Sequence, residues 1–297
     1  MLIFSHLLVG AIILGTLYAM VAVGFSLYFG VVDLIQFGHG ALFMLGGFFA
    51  IALSSWAGLE SVALLVIVPI VLAGIVGVVF AKITVQPLLK SPALITLLAT
   101  LAGGQVIREL IRIFYPNGSS PQPFPNFLPA FRVDIGPLMI PGSGIIVLVF
   151  GLIAMFVTIV SIQRSRLGRR MRAVSQDREA AQMMGTNLSM IVSATFFIAS
   201  TLAALAGILY GLYYNTVQYN MGVTIGVIGF AAATVGGLGS LYGAVLGGYL
   251  FAFVETFASG YLPMGSEYSQ VIAFVILIVF IVFRPEGILG ERVSERV

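Results

Sequence analysis

Long runs without charge alternate with short polar segments along this chain. The longest run, between Glu179 and Glu255, has 75 residues and no Asp, Glu, Lys or Arg. Because about 20 apolar residues cross a bilayer as a helix, this run alone holds two or three crossings. The whole pattern predicts nine apolar helices, at Leu7–Phe29, Ile35–Ala57, Ser61–Ala81, Pro92–Phe114, Ser143–Ile162, Met190–Tyr214, Thr224–Leu238, Tyr242–Ser259 and Ser269–Phe283. The predicted fold is an all-α polytopic membrane protein.

Two of these segments are irregular. Ile35–Ala57 contains Gly38, His39 and Gly40 near its start, and Thr224–Leu238 is short and rich in glycine. Either one is able to form a broken or re-entrant helix, which membrane proteins tolerate where the backbone is buried in protein or lines a cavity. The sequence therefore predicts eight or nine transmembrane helices.

Orientation follows from the most basic connection, residues 164–189, called here the basic segment. Its cations are Arg164, Arg166, Arg169, Arg170, Arg172 and Arg178. Short connections rich in Lys and Arg stay in the cytoplasm, which also puts Lys82–Lys90, Arg284, Arg292 and Arg296 inside and Tyr115–Gly142 outside. With nine crossings the N-terminus lies outside. If Ile35–Ala57 is re-entrant, eight crossings remain and the N-terminus lies inside; the charges leave both alternatives open.

Composition excludes several classes of function. Charged residues make up 8% of the chain, against about a quarter in soluble proteins, so a soluble enzyme is excluded. The net charge of +3 is spread over a hydrophobic chain, and no nucleic-acid partner is expected. With no cysteine and two histidines, no metal site is expected. No phosphate-binding GxxxxGK[ST] loop occurs, and no cofactor is expected.

The first helix is interpreted as part of the mature chain. No basic region precedes it, and the uncharged run extends to Val32, which is longer than the apolar core of a signal peptide.

Glycines recur at intervals of four residues in the second half of the chain. Examples are Gly207 with Gly211, and Gly239, Gly243 and Gly247. This spacing favours close approach of two membrane helices.

The basic segment also has features of a docking element. Residues from Gln176 to Met184 are predicted to form a short helix, with Asp177 near its positive end and Gly185 as its stop. Its Ala and Met side chains provide an apolar face that a groove on a soluble partner would receive. The alternative is a solvated loop whose arginines only keep this connection in the cytoplasm.

Polar residues inside predicted spans are the remaining candidates. His39 lies in DLIQFGHGALFMLGGFF and is either a packed histidine or part of an interrupted helix that faces a polar cavity. Glu255 is the acid of a later span and is expected to line a cavity or pair with a cation. Arg108, Glu109 and Arg112 cluster near a predicted outer end, where snorkelling or an ion pair explains them.

Four motifs spread over the chain resemble one family. They are FGHGALFMLGG, GRRMRAVSQDREAAQMMGTN followed by LAALAGILYG, VGGLGSLYGAVLGG, and the C-terminal FRPEGILG. With them the chain resembles the permease subunits of bacterial ABC importers for branched-chain amino acids, the LivH/LivM family, and more closely its LivH-like branch.

The resemblance implies one transmembrane permease domain over residues 1–297, with the basic segment as a cytoplasmic coupling loop. It implies a multi-pass protein of the bacterial inner membrane that is not itself an enzyme. Its partners would be a related second permease, two cytoplasmic ATPase subunits and an extracytoplasmic substrate-binding protein. The implied cargo is leucine, isoleucine or valine, with urea, short amides or aromatic carboxylates as alternatives. An ion-driven secondary transporter, with Glu255 as the coupling residue, is the alternative of a different class.

Two sets of site residues follow from the resemblance. The set implied for ATPase coupling is Gly168, Arg172, Ala173, Asp177, Glu179, Ala180 and Gly185. The set expected along the translocation path is Gln36, Gly38, His39, Gly40, Gly236, Gly237 and Gly239.

Overall fold

The computed structural model describes residues 2–56, 61–125, 131–135, 138–262 and 265–290. The helices in these ranges are α1 (Leu2–Val32), α2 (His39–Ser55), α3 (Val62–Phe80), α4 (Ala93–Phe114), α5 (Gly142–Arg164), α6 (Arg166–Gln176), α7 (Arg178–Met183), α8 (Leu188–Tyr214), α9 (Met221–Gly236), α10 (Leu241–Tyr261) and α11 (Gly265–Phe283). A π-helical turn (Ala81–Val85) and a 3₁₀ turn (Gln86–Leu88) continue α3. Two small antiparallel sheets pair β1 (Gln122–Pro123) with β4 (Thr216–Val217), and β2 (Arg132–Ile135) with β3 (Leu138–Pro141).

The fold is that of an all-α polytopic membrane protein, as predicted. Among the described residues, six helices are long and apolar enough to cross a bilayer: α1, α3 with its continuation, α4, α5, α8 and α10. Helices α2, α9 and the apolar part of α11 are shorter. Each of the nine predicted segments thus corresponds to an apolar helix in the described part of the chain.

Helix α1 forms the centre of the bundle and runs antiparallel to α10. The Thr16 hydroxyl lies 2.9 Å from the Tyr249 hydroxyl, and the Tyr18 hydroxyl lies 2.9 Å from Oε2 of Glu255. Two-thirds of the most apolar window of α1 is buried, against about a sixth for α4, which lies at the periphery. These polar contacts join α1 to α10 inside the bundle, and the packing of Leu7 against Gly260 and of Ala19 against Gly248 shows the antiparallel direction.

The structure also locates the two ends of the bundle. Arg178 of the basic segment contacts the C-terminal carbonyl of α1 at Val32, and this end is called here the basic end. The turn after α3 lies there too, because Gln86 donates to Ser189 at the start of α8. The N-terminal end of α1 packs against the last turns of α10, where Leu7 contacts Gly260. It therefore lies at the opposite end of the bundle from the basic end.

The segment predicted at Ile35–Ala57 is a broken crossing. After Val32 the chain turns at Asp33, whose φ is 52°, and α2 begins only at His39. The His39 ring contacts Gly24, which lies about 12 Å along α1 from Val32 at 1.5 Å per residue. Residues 33–38 therefore enter the bundle without forming a helix, and α2 supplies only the second part of the crossing.

The predicted boundaries elsewhere differ by a few residues. The segment predicted at Thr224–Leu238 forms α9, which begins at Met221 and ends at Gly236 because Gly237 has a φ of 104°. Ala57, Arg292 and Arg296 lie outside the described residues.

Glycine contacts hold the crossings together, as the four-residue spacing predicted. A Cβ on Gly207 has no room beside the Phe43 carbonyl, and one on Gly247 has none beside the Ala232 carbonyl. Gly239 differs from the others, because its φ of 89° places it in the turn between α9 and α10. The packing in the centre of the bundle therefore depends on positions without a side chain.

Candidate functional site

The basic segment folds into two helices, and Asp177 separates them. We predicted one short helix from Gln176 to Met184; instead α6 ends at Gln176 and α7 begins at Arg178. Asp177 has extended backbone, and its Oδ1 accepts hydrogen bonds from the amides of Glu179 at 2.9 Å and Ala180 at 3.0 Å. An aspartate that caps a helix in this way breaks the helix before it, because its own backbone is not helical.

Gly185 stops α7, as predicted. Its amide bonds to the Gln182 carbonyl at 2.9 Å, and the Thr186 amide bonds to the Ala181 carbonyl at 2.9 Å. These two bonds form a Schellman motif, in which the residue after the helix adopts a left-handed conformation. Gly185 has the required φ of 82° and no atom within 4 Å of the position of a Cβ. The glycine is needed here for its backbone conformation and not for close packing.

Arg172 and Gly168 fasten α6 to the end of α5. The Arg172 guanidinium donates to the carbonyls of Ile162 at 2.5 Å and Gln163 at 3.0 Å. Gly168 is buried against the Ile162 carbonyl, with no room for a Cβ. A cation at the C-terminus of a helix also complements the helix dipole. Both residues therefore set the position of α6 relative to α5.

Most of the expected coupling residues are exposed together at the basic end. The exposed members are Arg172, Ala173, Asp177, Glu179, Ala180 and Gly185. Beside them Met183 is 83% exposed and Met184 is 86% exposed. The end of α7 thus presents polarizable apolar side chains outside the helix bundle, a type of surface that many docking interfaces use.

A cavity of about 720 Å³ lies behind α7 at the basic end. Asp33, Asp177, Arg178, Gly239 and Ser240 contribute to its lining. It therefore brings two members of the coupling set, Arg172 and Asp177, near one member of the path set, Gly239. No group of three or more His, Cys, Asp or Glu side chains in the described part of the chain lies close enough to hold a metal ion.

The path residues from Gln36 to Gly40 form a closed cluster inside the bundle. Gln36 and His39 are fully buried. The His39 ring makes edge contacts with Phe25 and Tyr28, at centroid distances of 5.0 and 5.2 Å.

Close backbone contacts seal this cluster. A Cβ on Gly38 would lie 3.0 Å from the Thr100 carbonyl of α4, and Gly40 leaves no room for a Cβ beside the Gly222 carbonyl of α9. The side-chain amide of Gln36 has no hydrogen-bond partner for either Nε2 or Oε1 among the described residues, which is unusual for a buried amide. The broken crossing is therefore tightly packed in the state seen here, and its role in translocation stays a prediction.

The other three path residues, Gly236, Gly237 and Gly239, lie at the basic end, away from this cluster. Gly239 packs beside Gly30, which is about 9 Å along α1 from Gly24, the neighbour of His39. The structure therefore divides the expected path set into an inner group and a group at the basic end.

The C-terminal motif FRPEGILG forms backbone hydrogen bonds to the end of α9, which its sequence does not predict. The Ile288 amide donates to the Val235 carbonyl at 2.8 Å, and the Leu289 amide donates to the Gly236 carbonyl at 2.9 Å. The last carbonyls of a helix lack partners within it, so this segment completes the C-terminus of α9. The signal available in the sequence was Gly287, whose φ of 78° makes the turn.

Glu255 is only 8% exposed and lies near a group of tyrosines. Its Oε2 accepts the hydrogen bond from Tyr18. Tyr210, Tyr214 and Gln270 line the same cavity of about 250 Å³. The carboxylate therefore has a polar environment inside the bundle, as predicted for an intramembrane acid.

The chain is similar to known proteins over nearly its whole length. The sequence profile of a family described as "Branched-chain amino acid transport system / permease component" matches residues 7–281. The chain belongs to this family. The match extends from within α1 to within α11 and includes the basic segment and the broken crossing.

Similar proteins come from several bacteria. The permease protein BraD of a high-affinity branched-chain amino acid transport system of Pseudomonas aeruginosa is 32% identical, over 98% of this chain and 97% of that protein. The corresponding LivH of Escherichia coli is 29% identical, over 99% and 98%. LivM of Salmonella typhimurium is 23% identical, over 92% of this chain and 68% of that protein. No solved structure matches the chain.

Proposed function

We propose that the chain is the permease subunit of an ABC importer for the branched-chain amino acids leucine, isoleucine and valine. The observation that carries this proposal is the similarity to BraD and LivH over practically the whole length. Helices α2 to α10, most of α1 and α11, and the basic segment fall inside the matched region. The similarity thus extends to the parts of the chain that would perform transport.

The proposed assembly contains this chain, a related second permease, two ATPase subunits and a substrate-binding protein. Similarity to LivM, a second permease of such systems, supports the paired permease. The protein would be located in the bacterial inner membrane, with its basic end in the cytoplasm according to the positive-inside rule. The binding protein would then dock at the opposite end, where Trp56 stacks on Tyr115.

ATP hydrolysis belongs to the separate ATPase subunits in this proposal, and α7 would be the element that they move. This role of α7 is supported by two exposed side chains at its end, Met183 and Met184. Asp177 caps the start of the helix, and Gly185 stops it. A short amphipathic helix that fits a groove of a partner is a common recognition mode. The seven expected coupling residues would act by contact or, in the case of Gly168 and Arg172, by holding α6 in place.

The path would open where the broken crossing now closes it. Gln36, Gly38, His39 and Gly40 are packed between α1, α4 and α9 without a continuous helix. Discontinuous helices near the middle of the membrane are typical substrate sites in transporters. Alternation between the two faces would require this packing to loosen, while Gly236, Gly237 and Gly239 rearrange at the basic end.

The proposed function is tested with the complete importer in proteoliposomes. We expect leucine uptake that requires ATP inside, the binding protein outside and all the partner subunits. Uptake driven by an ion gradient with the isolated chain would contradict the proposal and favour a secondary transporter. A thermal-shift screen of the binding protein separates the cargo classes: stabilisation by urea, short amides or aromatic carboxylates, and not by leucine, would contradict the assigned cargo.

A further inference from the structure

A small pocket opens between α2, α4 and α9, next to the broken crossing. Its volume is about 270 Å³, slightly below the usual range for drug-sized ligands, which suits a ligand as small as an amino acid. Phe37, Ala41 and Met44 line it from α2 and the residues before it, and Gln105 and Arg108 line it from α4. The pocket thus combines an apolar wall with one cationic side chain.

Arg108 is incompletely paired in this pocket. Its Nη2 lies 3.4 Å from Oε1 of Glu109, whereas Oε2 of Glu109 lies 2.5 Å from Nε of Arg112. The predicted ion pair is therefore present, but Glu109 is shared between two arginines. The Arg108 Nε is buried and has no hydrogen-bond partner among the described residues. Because a guanidinium carries five N–H donors, Arg108 has donors available for an anion.

The position of Arg108 on α4 does not fit an arginine that reaches out to water. Gln105, Arg108, Glu109 and Arg112 follow the i, i+3, i+4, i+7 spacing of one helix face. The Arg108 side chain is 22% exposed and that of Arg112 is 43% exposed. Charged residues inside spans usually face a partner or a polar path, because exposure to lipid is costly. This face of α4 therefore fits contact with a partner or with a polar path, and not with lipid.

The pocket also contacts the broken crossing, which is the element that would move during transport. Gly104, one turn before Arg108, packs against the Cα of Gly38. Gly226 and Gly222 form the opposite wall on α9, and Gly222 contacts Gly40. A ligand in the pocket would thus lie directly beside the closed cluster.

We propose that this pocket binds an aliphatic amino acid on its way through the permease, with Arg108 holding the carboxylate. A guanidinium binds a carboxylate through two parallel hydrogen bonds, which supplies orientation as well as energy. The apolar side chain of the ligand would lie against Phe37, Ala41 and Met44. This inference rests on the proposed function and adds a cargo site within the permease itself.

The test measures equilibrium binding of radiolabelled leucine to the complete importer in phosphatidylcholine nanodiscs, without the binding protein. We expect saturable binding that Arg108→Gln weakens at least tenfold and that Arg108→Lys partly restores. Arg132→Gln is the control, because Arg132 pairs with Asp134 and does not line the pocket. Leucinamide, which has no carboxylate, should displace leucine from the wild type at least tenfold less well than unlabelled leucine does.

A second variant tests the pocket by volume. Ala41→Leu fills the space next to the aliphatic side chain and should abolish leucine binding. Size-exclusion chromatography of the assembled complex and its basal ATPase activity show whether each variant folds.

Three results would overturn the proposal: no leucine binding by a wild-type complex that transports leucine, equal binding by Arg108→Gln, or equal displacement by leucinamide. The same would follow if Arg108→Gln reduced only the retention of added phosphatidylglycerol, because the anion would then be a lipid. ATP-dependent leucine uptake by the wild type distinguishes failure of this proposal from failure of the proposed function. Uptake without binding would contradict only the cargo site in the pocket, whereas absence of uptake would contradict the proposed function as well.

Discussion

Arg178, the first residue of α7, donates a hydrogen bond through Nη2 to the backbone carbonyl of Val32, the last residue of α1. The next residue, Asp33, starts the segment that enters the bundle and leads to His39. A displacement of α7 would therefore act on the beginning of the broken crossing through this side chain.

Replacement of this arginine should uncouple transport from hydrolysis. Arg178→Ala removes a hydrogen bond from a charged group, for which about 1.5–3 kcal/mol is expected. We expect leucine uptake to fall at least fivefold while the ATPase rate changes less than twofold, measured on the same proteoliposomes. Arg170→Ala, at an exposed position of α6, is the control. Equal loss of both activities would contradict the transmission through Val32.

The cap of α7 should also be required for coupling. Asp177→Ala removes the acceptor for two amides and should destabilise the start of α7 by about 1 kcal/mol. Asp177→Asn keeps an acceptor and should retain most of the uptake per ATP hydrolysed. If the Ala and Asn variants behave alike, the cap is not the function of this residue.

At Gly185 the backbone conformation decides the effect. Gly185→Ala meets no atom within 4 Å, yet its φ of 82° should cost about 1 kcal/mol. Gly185→Asn should be milder, because asparagine tolerates this conformation better. Bulkier residues such as Gly185→Val should reduce the coupling ratio further, and protease protection of α7 reports whether its end has frayed. Wild-type coupling in Gly185→Val would exclude a role for the turn.

Gly40 should tolerate no side chain. Gly40→Ala places a methyl group against the Gly222 carbonyl, and overpacking of this kind costs about 1–3 kcal/mol or more. We expect a lower thermal unfolding midpoint of the purified permease. Gly10→Ala is the matched control, because the nearest atom, Cγ2 of Thr256, lies 3.9 Å from the added carbon. Equal midpoints for the two variants would show that the contact between α2 and α9 is not tight in the membrane.

Glu255 should contribute structure and not ion coupling. Glu255→Gln keeps an oxygen that accepts the hydrogen bond from Tyr18. We expect ATP-driven leucine uptake within about twofold of the wild type. Loss of uptake by a folded Glu255→Gln protein, together with gradient-driven uptake by the wild type alone, would support the ion-driven alternative instead.

The sequence was sufficient for the helices and less so for their ends. Charge-free runs locate spans because a bilayer requires about 20 apolar residues. The break after Val32 is harder to find, because residues 33–38 are stabilised by packing against α4 and α9 and not by a local pattern. The same holds for α6, whose start depends on Ser165 bonding to the Gly168 amide at 2.9 Å.

In the candidate site too, features with a local sequence signal were predictable and features that depend on distant contacts were not. Asp177 and Gly185 were recognisable because caps and stops are local signals. The link from Arg178 to Val32 joins residues far apart in the chain, so no spacing rule reveals it. The pocket at Arg108 requires three helices to meet, whereas the sequence alone predicted snorkelling or an ion pair for that residue.

The hydrogen bonds from Ile288 and Leu289 to the end of α9 have a consequence for biosynthesis. During translation α9 leaves the ribosome well before residues 284–290, so its last carbonyls must remain without these partners in the meantime. The basic end is therefore completed only late in synthesis, and α9 cannot reach its final C-terminal contacts until α11 has been inserted.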